Sequence, residues 1–306
     1  MKHLLQGYKG LVLSAGAAGG YYHLGALHAI WTETSALKNV KYIAGSSVGA
    51  ALALLLACGY QPVELFATLC TKDINKVFEF EIANLSTEWG LIDNKKLYEY
   101  LECLVLDKMN YIPTLKQLQE DTGKTLIIPS WCVTDSHNDH QTYFTPTTHP
   151  DVNVIDAVMC SSNIPVLFTK AKVDDHLWID GAIFDKCPAG KIKAYMIEQG
   201  ERDFKNLVLN LAWSSTRKEE KPKTLMGYIK NICYVPLKLQ KSPVEDDVQD
   251  VLHLESELSA MTLTIDLKAR IDIFTGSYNK IKTAIKDVIQ LSSATTTTAD
   301  NETSTS

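Results

Sequence analysis

The stretch Tyr42-Ile43-Ala44-Gly45-Ser46-Ser47-Val48-Gly49-Ala50 decides the fold of this chain. A short apolar run comes first, then Gly45-Ser46-Ser47-Val48-Gly49, which fits G-x-S-x-G. An Ala/Leu-rich run from Ala50 to Cys58 follows and is stopped by Gly59. Buried strand, sharp turn and apolar helix in that order describe a nucleophile elbow. The two glycines let strand and helix backbones crowd together while the central side chain is thrust out at the turn. Ser47 is that central residue. The bland reading is a plain strand-to-helix turn, and the flanking strand and helix weigh against it.

Upstream, Lys9 to Leu13 predicts a first strand, and Ser14-Ala15-Gly16-Ala17-Ala18-Gly19-Gly20 a small-residue loop that opens a helix from about Tyr21 to Thr34. Such a loop offers unpaired N–H groups to an anion, either a phosphate or a tetrahedral oxyanion. The dinucleotide fingerprint G-x-G-x-x-G needs glycine spacings this loop lacks, and no acidic residue ends the strand near Tyr42. Downstream, Pro62 to Leu69 and Lys95 to Leu106 predict helices, and Leu126 to Val133 a strand with a bulge or an edge at Pro129. Ile155 to Ser161 predicts a small-residue helix, Lys170 to Lys172 and Leu177 to Ile179 paired strands, and Asn206 to Ala212 a final buried strand. Strands alternating with helices argue for a largely parallel sheet between helical layers.

The net charge of -6 leaves no basic excess for a nucleic-acid backbone, so nucleic acid is not an expected partner. The seven cysteines are scattered singly without a C-x-x-C pair, which reads as reduced thiols in a cytoplasmic protein and gives no zinc site. No signal peptide is visible in Met1 to Gly7. The most apolar run, Val48 to Cys58, is about half the roughly 20 residues that span a bilayer, so it belongs in a core.

From Trp213 the character changes. Arg217, Lys218, Lys221, Lys223, Lys230, Lys238 and Lys241 are interleaved with apolar residues from Leu225 to Leu237. A surface helix and loop over the core is the preferred reading, because Glu219, Glu220, Pro222 and Pro236 interrupt any long amphipathic face. Resting on an anionic membrane as a peripheral protein is the alternative. After Glu245-Asp246-Asp247, the apolar residues Val248, Val251, Leu252, Leu258 and Met261 keep helical spacing. A second helix follows with a seam of Leu267, Ile271, Phe274, Tyr278, Ile281, Ile285 and Val288. Packing back on the first part of the chain is the plainer use of that seam; a helix-mediated oligomer through Leu267, Ile271, Phe274, Tyr278 and Ile281 is the sharper one. Ser292 to Ser306 is nearly all Thr, Ser, Ala and acidic residues and is expected to be disordered. Three parts result: a catalytic domain at 1–212, a basic and helical part at 213–290, and a tail at 291–306.

Taken together, Leu11-Val12-Leu13-Ser14, the small loop, His23-Leu24-Gly25-Ala26-Leu27 and the elbow resemble the patatin-like phospholipase family. Gly90-Leu91-Ile92-Asp93, Ser161-Ser162-Asn163-Ile164-Pro165 and Asp180-Gly181-Ala182 fall in the family's order, so the resemblance covers roughly Tyr8 to Leu211. It implies a three-layer α/β fold with a mainly parallel central sheet, here with a C-terminal helical extension. It also implies a lipid acyl hydrolase of phospholipase A or lysophospholipase type, acting on phospholipid at a membrane surface without metal or organic cofactor. The site it implies is a dyad of Ser47 as nucleophile and Asp180, in the D-G-[GA] turn, as general base, with an oxyanion hole at Ala15, Gly16 and Ala17.

Rivals to that base are Asp174, Asp175 and Asp185 nearby, or a Ser-Asp-His triad using His137, His140, His149, His176 or His253. An elbow as early as Ser47 leaves room for only about one preceding strand, which argues against the triad. The loop departs from the family's G-G-G-x-[RK]-G, because Ala15 and Ala17 replace glycines and Gly19 the cation. Where such a position needs positive φ, alanine costs roughly 1 kcal/mol. The alternatives are a neutral-lipid or general esterase on the same dyad, and a catalytically impaired member that binds membrane or protein partners through Trp213 to Lys241 and the terminal helices.

Overall fold

β1 (Gly10–Leu13), α1 (Gly20–Glu33), β2 (Tyr42–Gly45) and α2 (Val48–Ala57) follow one another as the sequence predicts. The computed structural model describes residues 7–72, 74–134, 140–202, 204–213, 221–259 and 262–302. The sequence expectations that involve Met1 to Gln6, His137, Arg217 to Glu220, Met261 and the last four residues lie outside them. The chain continues with α3 (Pro62–Thr71), α4 (Asn84–Thr87), β3 (Gly90–Ile92), α5 (Asn94–Met109), α6 (Leu115–Thr122), β4 (Thr125–Cys132) and β5 (Gln141–Phe144). Then come α7 (Val154–Ser161), β6 (Val166–Phe168), β7 (Ala171–Val173), β8 (His176–Asp180), α8 (Ala189–Glu198), β9 (Asn206–Trp213), α9 (Leu225–Leu239), β10 (Gln249–Ser256) and α10 (Leu267–Glu302). Local signals set several boundaries. Pro62 opens α3, Thr114 and Gln117 close a capping box on α6, and α6 ends at the left-handed Gly123.

One eight-stranded sheet carries the fold, in the order β10-β9-β1-β2-β4-β8-β7 with β5 also paired to β4. From β10 to β4 the neighbours are parallel; β5, β7 and β8 add antiparallel pairs. β4 runs through Pro129 without a break. Pro129 lies beyond Ile127, the last residue paired with β2, and before Ser130, the first paired with β8, in register opposite Tyr143 of β5. Leu11 and Leu13 face a core formed with α1, α2, α3, α5, α7 and α10, whereas Val12 faces a second core with Ile192, Tyr195 and Met196 of α8. Burial on both faces is what a parallel sheet between helical layers requires.

The C-terminal part differs from the sequence expectations in its strands and in its tail. The stretch after the acidic turn is the strand β10, not a helix, and it pairs with β9 over eight residues. Its period is two: Leu252, Leu254 and Ser256 are buried while His253 and Glu255 are exposed. β9 is therefore not the final strand, and the core does not end near residue 212. The α10 seam packs back on the first part of the chain, the plainer of its two expected uses. Phe274 stacks on Phe66 of α3 at 3.9 Å, His28 of α1 stacks on Tyr278 at 5.1 Å, and Ser277 Oγ donates to Tyr22 O at 2.7 Å. Gly25 permits this approach, since a Cβ there would run into the Phe274 carbonyl. Phe274, Tyr278 and Ile281 are thus used within the chain, and the exposed Leu267 and Ile271 lie at the helix start. Helical backbone then continues to Glu302, into the stretch expected to be disordered. Extending an established helix is far easier than starting one, even through threonines. Among the described residues no single helix is long and apolar enough to cross a membrane.

Candidate active site

Leu13 and Gly45 are paired neighbours at the ends of β1 and β2. The loops that follow them leave the sheet side by side, outside the carboxyl ends of parallel strands, where α/β sheets place their sites. The turn into α2 is possible only with the two glycines. A Cβ on Gly45 would strike the Gly49 carbonyl, and one on Gly49 would strike the Leu13 carbonyl. Between them Ser47 adopts φ 54° and ψ −122°, a strained backbone for a non-glycine residue. Its N–H donates to Ser161 Oγ at 3.2 Å, at the end of α7. The N–H of Val48, first residue of α2, has no partner among the described residues and lines the same cavity as Ser47.

The small-residue loop is held from three sides at Ser14. Its N–H donates to Leu209 O at 3.1 Å, its Oγ accepts from Leu211 N–H at 2.8 Å, and its carbonyl pairs with His23 Nε2 at 3.0 Å. Complete burial lowers the His23 pKa to about 4, so its ring is neutral and Nε2 carries the proton given to Ser14. His23 is a structural donor. Ala15 is a correction. Its N–H is taken by the Lys186 carbonyl at 2.8 Å and cannot serve an oxyanion. Ala18 N–H is bonded to Thr262 O and Gly19 N–H to Gly16 O, both at 2.8 Å. The N–H groups of Gly16 and Ala17 stay unbonded among the described residues. Ala17 reaches this arrangement at φ 47°, a left-handed conformation that costs an alanine roughly 1 kcal/mol. Gly19, where the family carries a cation, abuts the sheet: a Cβ there would lie 2.9 Å from Leu211 Cδ1.

Asp180 closes β8, opposite Ser130 of β4. Gly181 after it is required, because a Cβ there would run into the Pro129 carbonyl. Asp180 N–H donates to Asn163 O at 2.9 Å, and Asn163 Nδ2 donates to Trp178 O at 2.7 Å, so the last residue of α7 braces Ser47 and the segment just after it braces Asp180. The Asp180 carboxylate accepts from Ala182 N–H at 2.8 Å. Burial raises its pKa from 3.8 to about 7, opposed by the Ala182 N–H and by the Ser47 hydroxyl, which both favour the anion. Asp180 is 4% exposed and Ser47 9%, enough for the hydroxyl to be reached from the cavity.

Ser47, Asp180, Gly16, Ala17 and Val48 all line one cavity of about 150 Å³. Beyond them its wall is apolar, with Leu52 and Leu55 of α2, Leu69 of α3 and Leu101 of α5. Among the described residues no histidine lines it. His140 binds Cys132 O and stacks on Trp131, His149 packs on Phe144, and His253 meets Asn210. The rival aspartates are also elsewhere. Asp174 and Asp175 are exposed, and Asp185 accepts from Tyr143 at 2.7 Å. No group of three or more metal-ligating side chains occurs among the described residues.

α9 lines the same cavity through Cys233 and Leu237. It is latched to the Asp180 turn by Gln240, whose Nε2 donates to Ala182 O at 2.6 Å and whose Oε1 accepts from Lys186 N–H at 2.6 Å. Lys186 Nζ in turn donates to Leu237 O at 3.2 Å, and burial lowers its pKa. Val48, Ser161, Lys186 and Gln240 were not singled out from the sequence. Ser161 and Asn163 lie in a stretch that carried the family resemblance, whereas nothing local marks Gln240.

The Patatin-like phospholipase model matches residues 11–191, which contain the elbow, the loop and the Asp-Gly-Ala turn. The chain belongs to the patatin-like phospholipase family. A relative of this patatin-like chain is the "Probable lipid hydrolase 463L" of Invertebrate iridescent virus 6, 31% identical over 188 residues, which are 59% of this chain and 62% of that protein. Less than two thirds of that relative's length is therefore matched. A second is "Uncharacterized protein R571" of Acanthamoeba polyphaga mimivirus, 24% identical over 92% of this chain and 95% of that one. Among solved structures, VipD from Legionella pneumophila superposes with a TM-score of 0.57 at 15% identity, covering 92% of this chain and 67% of that one. At that identity the likeness is one of patatin-like fold alone.

Proposed function

We propose that this protein is a lipid acyl hydrolase of phospholipase A or lysophospholipase type, working through a Ser47–Asp180 dyad. The observation that carries the reading is a serine on a strained elbow facing a desolvated carboxylate at the head of an apolar cavity. Ser47 Oγ attacks the ester carbonyl as the Asp180 carboxylate takes its proton. The N–H groups of Gly16, Ala17 and Val48 receive the oxyanion. Collapse breaks the ester bond, and the leaving alcohol takes the proton back from Asp180. Water then attacks the acyl-enzyme, Asp180 accepting its proton, and releases the fatty acid and free Ser47. A carboxylate of ordinary pKa is too weak a base, and the rise to about 7 brings Asp180 near the working pH. The alanine substitutions in the loop do not favour the impaired-member reading, since Ala17 holds positive φ and its N–H is unpaired.

The apolar lining fits a fatty-acyl chain and specifies no head group, so a neutral-lipid esterase is separated by assay. Fatty-acid release from phosphatidylcholine, lysophosphatidylcholine and triacylglycerol is measured for wild type, Ser47→Ala and Asp180→Asn, each checked for folding. Loss of activity in both variants supports the dyad. Activity that survives Ser47→Ala refutes it.

A further inference from the structure

The solvent side of α9 is the inverse of what a surface helix needs. Tyr228, Ile232, Val235 and Leu239 are all more than half exposed, and their spacing of four, three and four places them on one stripe. Its other side is already used: Leu237 is buried against the cavity beside Ala15 and Ala182, Cys233 packs on the cluster of Ile92, Ile164, Leu167 and Phe168, and Gln240 is tied to the Asp180 turn. An apolar stripe facing water is unfavourable unless something covers it. The charge around it indicates what. Residues 221–241 hold five lysines and no acidic residue, in a chain whose net charge is -6. Lys221, Lys223, Lys238 and Lys241 are exposed. Phe78, which packs on the same cluster as Cys233, leads into a segment where Ile82 is 81% exposed.

We infer that the outer face of α9 is a membrane-docking surface that lies in the interface of an anionic bilayer. Its apolar stripe enters the headgroup boundary while its lysines meet lipid phosphates and carboxylates, the pattern of an interfacial amphipathic helix. Pro236 does not oppose this, because it falls in the last turn, and Pro222 precedes the helix. One helix about 10 Å thick then separates the lipid surface from the cavity, and the Gln240 latch holds the two in fixed relation. The inference rests on the lipid-hydrolase reading for its purpose but not for its test.

The full chain carrying Ser47→Ala, which leaves lipid intact, is floated with phosphatidylcholine vesicles with and without phosphatidylserine. Binding is expected only with phosphatidylserine, and to weaken with salt. Lys223→Glu and Lys241→Glu each weaken it by at least about fivefold. The pair Ile232→Asp and Val235→Asp abolishes it with an unchanged melting temperature. In chains that retain Ser47, the same substitutions leave turnover of a water-soluble monomeric ester intact and lower turnover of vesicle lipid. Equal vesicle binding by all variants overturns the inference. So does self-association of the parent chain that Ile232→Asp removes, which assigns the face to a second copy. A wild type that binds vesicles but turns over neither ester overturns the hydrolase reading and leaves the docking surface standing.

Discussion

Replacing Asp180 with asparagine tests the site without substrate. The carboxyl has a pKa of about 7 in the folded chain against 3.8 when unperturbed. Between those values the unfolded chain has released a proton that the folded chain still holds. Stability is therefore complete below the lower value and falls as pH rises through the upper one. The loss is 1.36 kcal/mol per pH unit over about three units, roughly 4 kcal/mol in all, as an order of magnitude. Asparagine keeps an acceptor for Ala182 N–H and has no charge to bury. Asp180→Asn should gain about 3 kcal/mol relative to wild type between about pH 5 and about pH 8.5, since about two of those three units lie above pH 5, which at 2–4 °C per kcal/mol is a rise of roughly 5–10 °C. Paired thermal melts at the two pH values measure it, with Ser47→Ala as a control that keeps the carboxyl. A difference between Asp180→Asn and wild type that does not change with pH would refute the reasoning, because it would mean that Asp180 is not held as a desolvated acid.

The same carboxyl must lose its proton to act as a base, so kcat/KM should rise about tenfold between about pH 6 and about pH 8 and then level off. A flat profile over that range would remove Asp180 from the role. Ala17→Gly should raise stability by about 1 kcal/mol by relieving its positive φ, read from the denaturation midpoint. Gly49→Ala should cost several kcal/mol, because its methyl group would meet the Leu13 carbonyl, and soluble yield and melting temperature report it. Ser161→Ala leaves the Ser47 N–H without its partner and should cost about 1–2 kcal/mol, with slower labelling of Ser47 by a fluorophosphonate.

What the sequence made legible was local. The elbow is a strand, five residues and a helix in succession, and the Asp-Gly-Ala turn is read from three residues. Their glycines are fixed by backbones that approach closely, so residue type and geometry imply each other. Ala15 was not legible as a spent donor, because its partner is a carbonyl 171 positions away in sequence, at Lys186. β10 was misread because Val251 and Leu252 are adjacent and both buried, which masks the alternation that begins at Leu252. The α10 seam was visible from its spacing. Its partner was not, since the receiving groove is marked by residues scattered over α1 and α3, among them Gly25, His28 and Phe66.

β10 completes one flank of the sheet with eight consecutive pairs along β9, and α10 roofs α1. A chain cut after residue 212, at the place where the recognisable motifs end, would therefore expose a bare, apolar ladder edge and an uncovered helix at once. Such an edge is a template for pairing with other chains. Anyone preparing a shortened version of this protein should expect inclusion bodies, not a smaller folded domain.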